Sequence, residues 1–237
     1  MCSKTSSSSP LSLAKAAAGK AAAQLIESGM IVGLGTGSTA AFFIENLGQR
    51  CRSGELQIHA VASSEQSVKL AQSCGIPLIA ASEITRVDLT VDGADEVDPQ
   101  KRLIKGGGGA LLREKILASS SREMIVILDE TKLVDQLGLF PLPIEISPFA
   151  YQTTLARLAE YGYRGHLRLT SSQQPFLTDN QHYIVDIALR EYSAPLPPEQ
   201  HDQQLKRIPG VLETGFFIGI AGRLVIGYVN GEVKICV

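Results

Sequence analysis

Met30-Ile31-Val32-Gly33-Leu34-Gly35-Thr36-Gly37-Ser38-Thr39 reads as a short buried strand opening into a glycine turn, with a helix following through about Leu47. Strand, glycine turn and helix together mark an α/β unit, but the spacing is not that of a dinucleotide fingerprint. G-x-G-x-x-G places its third glycine at position 38, which is Ser38. Nor is it a Walker A loop, which requires a Gly-Lys pair before a Ser or Thr. What remains is a turn of small and hydroxylated residues at a helix N-terminus. Thr36, Ser38 and Thr39, with the amides around Gly37, can hold one phosphate or several sugar hydroxyls. N-capping by Ser38 or Thr39 is the plain alternative, compatible with the first.

Working outward, Leu13 to Ser28 is alanine-rich and reads as a helix closed by Gly29, with Lys15 in its first turn. Ile58–Ala62, Ile76–Ala80, Val87–Val91 and Met124–Leu128 read as strands. Glu65–Cys74 and Leu111–Ser119 read as helices between them. Strands alternating with helices imply βαβ units and an open, mostly parallel sheet that binds ligands at the carboxyl ends of its strands. From Gly138 the pattern changes. Strands at 141–146, 164–169, 183–189 and 211–217 and helices at 148–161 and 197–207 give the order β-α-β-β-α-β, the split βαβ of a ferredoxin-like domain. The expected organisation is therefore α/β: a Rossmann-like open parallel sheet domain from residues 1–137 and 218–237, plus a smaller ferredoxin-like α+β domain from residues 138–217. Strands at 224–229 and 233–237 are expected to return to the first sheet. Residues 1–12 begin serine-rich, without the apolar core of a secretory signal, and are expected to be a disordered tail.

Two further stretches carry chemistry. Lys105-Gly106-Gly107-Gly108-Gly109 empties into a helix that bears Glu114. Four glycines let a backbone approach a ligand closely, and a helix N-terminus favours an anion or a developing oxyanion. Asp92-Gly93-Ala94-Asp95 follows a buried strand. Two acids there can titrate as a pair, or one can move a proton while the other orients it; turn formation is the ordinary alternative. A phosphate beside Asp92, Asp95 and Glu114 would be repelled. The acids should face neutral hydroxyls and carbons, and the phosphate should go to amides with a cation such as Lys132.

Composition excludes several classes. Lys plus Arg number 22 against 24 Asp plus Glu, without long blocks of one sign, so no basic face for nucleic acid is expected. No apolar run approaches the roughly 18–20 residues that span a bilayer. The cysteines Cys2, Cys51, Cys74 and Cys236 and the histidines His59, His166, His182 and His201 lack the spacing of a zinc site or disulfide framework. Free thiols in a reducing cytoplasm, no metal and no cofactor are expected.

Taken together, Gly33-x-Gly-Thr-Gly-Ser-Thr39, Asp92-Gly-Ala-Asp-Glu96, Lys105-Gly-Gly-Gly, Arg113-Glu-Lys-Ile116 and Phe140-Pro-Leu-Pro-Ile-Glu145 resemble ribose-5-phosphate isomerase of type A. The motifs fall in that family's order across nearly the whole chain from Leu13. The resemblance implies a Rossmann-like domain with an appended ferredoxin-like one. It implies Glu114 as the catalytic base, with Asp92, Asp95 and Lys105 as its partners around the sugar. Substrate contacts are implied for Thr36, Gly37, Ser38 and Thr39, for Asp92, Gly93, Ala94 and Asp95, for Lys105, Gly106, Gly107 and Gly108, and for Lys132. The implied reaction is metal-free interconversion of ribose 5-phosphate and ribulose 5-phosphate through a cis-enediolate. A homodimer is implied by resemblance alone. Gly109 and Leu112 depart from the alanine and threonine common in the family. A CoA transferase or amino-sugar phosphate deaminase on a related fold stays open, as does a non-catalytic sugar-phosphate sensor, although no spare segment here suits a helix-turn-helix domain.

Overall fold

The structure is a computed structural model that describes residues 9–192 and 196–237. In chain order its first half runs α1 (Pro10–Ala23), β1 (Ile31–Leu34), α2 (Ser38–Arg52), β2 (His59–Ala62), α3 (Glu65–Ser73), β3 (Val87–Asp92), β4 (Glu96–Val97), β5 (Leu103–Ile104), α4 (Leu111–Ser119) and β6 (Ser121–Asp129). The second half runs β7 (Leu142–Ile146), α5 (Tyr151–Glu160), β8 (Gly165–Leu167), β9 (Tyr183–Ile187), α6 (Pro198–Lys206), β10 (Val211–Thr214), β11 (Phe216–Phe217), β12 (Ala221–Gly227) and β13 (Val233–Cys236).

The short apolar runs become central strands because helices cover both faces of their sheet. Six strands lie in the order β13-β12-β6-β3-β1-β2. All neighbours are parallel except β13, which is antiparallel to β12. The C-terminal strands thus return to the first sheet as expected. Val32, Leu34, Val91, Ile125 and Ile127 fill its core with Phe43, Ile44 and Leu47 of α2. A second sheet, β10-β7-β9-β8, is antiparallel throughout. Its residues Ile144, Val185 and Ile187 pack with Leu158 of α5 and Leu205 of α6. That is the ferredoxin-like arrangement.

Several elements differ from their sequence reading. α1 starts at Pro10, where Ser9 accepts the Ser12 N–H at 3.2 Å and a proline occupies the first turn. The expected tail is therefore helical from residue 10, while residues 1–8 lie outside the described residues. The helix ends at Ala23 rather than Ser28; Gly29 instead turns the chain with φ +89° and donates to Gln57 O. Ile76–Ala80 makes only a bridge between Leu78 and Ala60, Pro77 offering no N–H to a ladder. Two two-residue strands, β4 and β5, were not expected.

The expected strand 211–217 is broken at Gly215. Residues before it pair with β7, and those after it with β5 in a small sheet β11-β5-β4. Gly215 donates to Pro143 O at 2.7 Å and accepts from Lys105 N at 2.9 Å. It thereby ties the ferredoxin-like sheet to the glycine loop. A Cβ there would lie 2.4 Å from Lys105 O, so only glycine lets these backbones meet.

Gly215→Ala should therefore destabilise the protein by about 1–3 kcal/mol through overpacking. Chemical denaturation measures this, and an unchanged midpoint would mean that the crossing relaxes freely.

Candidate active site

β1, β3 and β6 end side by side, and their carboxyl ends carry the residues singled out in the sequence. β3 ends at Asp92, fully buried at 0% exposure. Gly35 passes so close that a Cβ there would sit 2.1 Å from Asp92 Oδ1. That oxygen accepts the N–H groups of Thr36 at 3.0 Å and Gly93 at 2.7 Å. The Lys105 ammonium lies 3.0 Å from Asp92 Oδ2, donates to Gly93 O at 2.6 Å and lies 3.3 Å from Glu114 Oε2. Glu114 stands in the first turn of α4, and both it and Lys105 are only 3% exposed. The Glu114–Lys105 contact is an ion pair without hydrogen-bond alignment, so Glu114 Oε2 has no hydrogen-bond donor among the described residues.

Two carboxylates thus share one ammonium out of water. Burial pushes Glu114 up to about 8, and the Asp92 charge pushes in the same direction. Burial also raises Asp92, against the pull of Lys105 and the two amides. For Lys105 burial disfavours the charge, but Asp92 and Glu114 outweigh it and hold the ammonium above the ordinary lysine range. Asp92 has two amide donors and the nearer ammonium, so the proton that two crowded acids must share resides on Glu114.

Above this cluster lies a cleft of ≈ 120 Å³. Thr36, Gly37, Ser38, Thr39, Gly93, Ala94, Asp95, Lys105, Gly106, Gly107, Gly108, Glu114 and Lys132 all line it. Asp92 does not; it lies beneath, paired with Lys105 at 3.0 Å. The two aspartates do not pair either. Asp95 is half-buried and accepts the Gly107 N–H at 2.8 Å, facing the glycine loop. The Thr36 hydroxyl turns away into a serine cluster, 2.8 Å from both Ser63 and Ser64 Oγ, so this residue offers the cleft little beyond its backbone. Gly37, not Ser38 or Thr39, is the N-cap of α2, with no side-chain cap and φ +106°. The first amides of that helix are therefore free for an anion.

The sequence reading did not place Lys15 in the site. α1 lies across the sheet, close enough that a Cβ at Gly227 would meet Ala14 O at 1.9 Å. Lys15 consequently lines the cleft and donates to Ser38 Oγ at 3.1 Å. Its only sequence signal is a cation on an alanine-rich helix. Lys132 follows β6 in a single helical turn and forms no ion pair among the described residues. Lys15, Lys132 and the start of α2 make a cationic, amide-rich grouping beside the Asp92, Lys105 and Glu114 cluster, with Lys15 Nζ also 4.0 Å from the buried Asp129 carboxylate. Gly109 has φ +83°, and a Cβ would lie 2.6 Å from the Phe176 ring, which accounts for glycine here. A larger cavity of ≈ 840 Å³ opens beside Arg102, Arg190 and His201. None of the acids or lysines of the cluster lines it, so size does not locate the chemistry.

Residues 59–231 match the family described as ribose 5-phosphate isomerase A (phosphoriboisomerase A). The chain is 52% identical over 229 residues to ribose-5-phosphate isomerase A of Protochlamydia amoebophila, covering 96% of this chain and 97% of that one. It is 48% identical over 217 residues to the Bacillus mycoides protein of the same name, covering 92% and 96%. Among solved structures it is similar to a D-ribose-5-phosphate isomerase in complex with phospho-erythronic acid, with TM-score 0.87 and 39% identity over 94% of this chain and 96% of that one. The ribose 5-phosphate isomerase A of Methanocaldococcus jannaschii superposes with TM-score 0.86 at 38% identity, covering 94% and 97%.

The buried acids make stability depend on pH. Glu114 has a folded pKa of about 8 against an ordinary 4.5, so the folded state holds the extra proton between these values. Stability is fully present below the lower value and is lost as pH rises through the upper one. Glu114→Gln removes that loss. Its melting temperature minus that of the wild type should grow more positive from pH 5 to pH 8.5, and a flat difference would place the proton elsewhere.

Proposed function

This chain belongs to the ribose 5-phosphate isomerase A family, and from that we infer that it interconverts ribose 5-phosphate and ribulose 5-phosphate through a cis-enediolate, with Glu114 as the base. The observation that carries the assignment is a buried carboxylate in the cleft wall, held up to about 8, whose Oε2 meets only the Lys105 ammonium at 3.3 Å and without hydrogen-bond alignment. Such a base is ionised near neutrality often enough to act and basic enough to take a carbon-bound proton. Glu114 would remove the C2 proton and return it to C1. Lys105 and the glycine-loop amides would meet the negative charge that develops on the sugar oxygen, where fixed donors in a dry site are worth most. Asp92 holds Lys105 charged and in place. Asp95, facing the cleft, suits ring opening and the hydroxyl protons. Lys15, Lys132 and the amides at the start of α2 supply the positive charge and donors that suit the phosphate.

The same proposal extends to organisation. The strands of the six-stranded sheet fall within 31–129 and 221–236, and those of the antiparallel sheet within 142–214. That supports domains at 1–137 with 218–237 and at 138–217, the crossing at Gly215 being their seam. We also propose a homodimer working in the cytoplasm. Free thiols at Cys51, Cys74 and Cys236 suit a reducing compartment.

Glu114→Gln should lose about 10²–10⁴-fold or more in kcat while remaining folded; near-wild-type turnover of ribose 5-phosphate would overturn the assignment. For the wild type, kcat/KM should rise with pH, pass half its plateau near pH 8 as Glu114 ionises and level about one unit higher, and a profile flat from pH 7 to pH 9 would count against that carboxylate. Lys132→Ala should raise KM more than it lowers kcat, because phosphate binding is shared by ground and transition states. An unchanged KM would remove Lys132 from the phosphate site.

A further inference from the structure

The glycine loop is gripped from behind by a residue of the ferredoxin-like sheet. Arg168, just after β8, donates through Nη1 to Gly106 O at 2.9 Å and Gly107 O at 3.1 Å. Its other nitrogens pair with Asp186 of β9, Nε at 2.8 Å and Nη2 at 2.5 Å. The backbone of Arg168 is also pinned, its N–H donating to Ile184 O at 2.7 Å and its carbonyl accepting from Phe176 N at 2.9 Å. The Phe176 ring lies 5.9 Å from the guanidinium and packs against Gly109. The clamp is therefore rigid, and its charge is balanced locally by Asp186.

The consequence follows from peptide geometry. In a trans peptide the carbonyl and the following N–H point in opposite directions. The peptide joining Gly106 and Gly107 is held at both ends, by Arg168 and the Gly109 N–H (3.0 Å) on its oxygen and by Asp95 on its N–H. The next one is held only at the Gly107 oxygen. Its N–H, that of Gly108, has no acceptor among the described residues, and Gly108 lines the cleft. A Gly-Gly segment left to itself explores many orientations.

We propose that Arg168 is a positioning residue for the reaction: by holding the Gly106 and Gly107 carbonyls from the neighbouring domain, it aims the free Gly108 N–H at the sugar oxygen that becomes anionic during proton transfer. This rests on the isomerase reading above and adds a second-domain residue to it. Arg168 does not line the cleft, and its carboxylate partner is Asp186 rather than Asp92, Asp95 or Glu114. It acts through one amide whose partner gains charge in the transition state, so its loss appears in kcat rather than in substrate affinity.

The test uses the full-length protein and three variants, Arg168→Met, Arg168→Ala and Asp186→Asn. Arg168→Met should lower kcat by about 10–100-fold, with KM for ribose 5-phosphate changed by no more than about threefold. Phospho-erythronic acid bears a carboxylate where the enediolate bears its oxygens, so its inhibition should weaken in step with kcat, while inhibition by inorganic phosphate stays as in the wild type. The alkaline levelling of kcat/KM should stay where the wild type has it. Added guanidinium ion should restore part of the kcat of Arg168→Ala, which a merely destabilised protein would not show. Asp186→Asn keeps the guanidinium but loosens it, and should give a smaller loss of the same kind even if the Arg168 variants fold poorly. Unchanged kcat in Arg168→Met and Asp186→Asn would overturn the proposal. So would parallel losses of phosphate affinity and kcat, or an Arg168→Ala enzyme that guanidinium does not rescue. A wild-type protein that leaves ribose 5-phosphate unchanged would instead overturn the isomerase reading itself.

Discussion

Two carboxylates and one ammonium removed from water are the constraint on which this structure depends. Asp92 and Glu114 cannot both be charged beside a single buried lysine without cost, and removing Lys105 would leave them with none. The surrounding fold supplies the compensation. Gly35 gives Asp92 room, the Thr36 and Gly93 amides oppose the effect of its burial, and Gly93 O accepts a hydrogen bond from Lys105. The Phe217 ring lies 5.3 Å below the same ammonium. Glu114, which receives no backbone amide and the more distant side of the ammonium, is the less compensated of the two and becomes basic. Reactivity and instability here have one cause.

The two sheets divide the work. The parallel sheet presents three strand ends at one edge, collecting the α2 amides, Asp92 to Asp95 and Lys132 into one cleft, as open α/β sheets do. The antiparallel sheet contributes little to the lining of that cleft but supports it from behind. Gly215 bonds the backbone of Lys105, and Arg168 holds two carbonyls of the glycine loop. Lys115, beside Glu114 on α4, is buried against Glu213 at 2.7 Å and Thr214 O at 2.7 Å. Burial lowers its pKa, although Glu213 pulls the other way. The flexible glycine loop is thus held at its start, its middle and the helix it enters.

Short apolar runs, opening into glycine turns at β1 and β3, were enough to recognise β1, β3 and β6, and the changed pattern after Gly138 was enough for the ferredoxin-like order. Local chemistry also placed Glu114 on a helix behind a glycine loop and acids at a strand end. Recognition failed where an element is too short to have a period, as in β4 and β5. It failed too where a run that looks continuous serves two sheets, as 211–217 does on either side of Gly215.

The sequence by itself determined which residue types could do the chemistry and on which elements they ride, because turn geometry and side-chain periodicity are local. It did not determine their partners. Asp92 and Asp95 are three positions apart, yet one lies beneath a lysine and the other faces the glycine loop, since only Asp92 is overlain by the Gly35 turn. Lys15 and Arg168 reach the site, or its supporting loop, across long stretches of chain through helix packing and sheet register. The high pKa of Glu114 belongs to no segment at all. It arises from burial and a neighbouring charge, which exist only once the chain has closed around them.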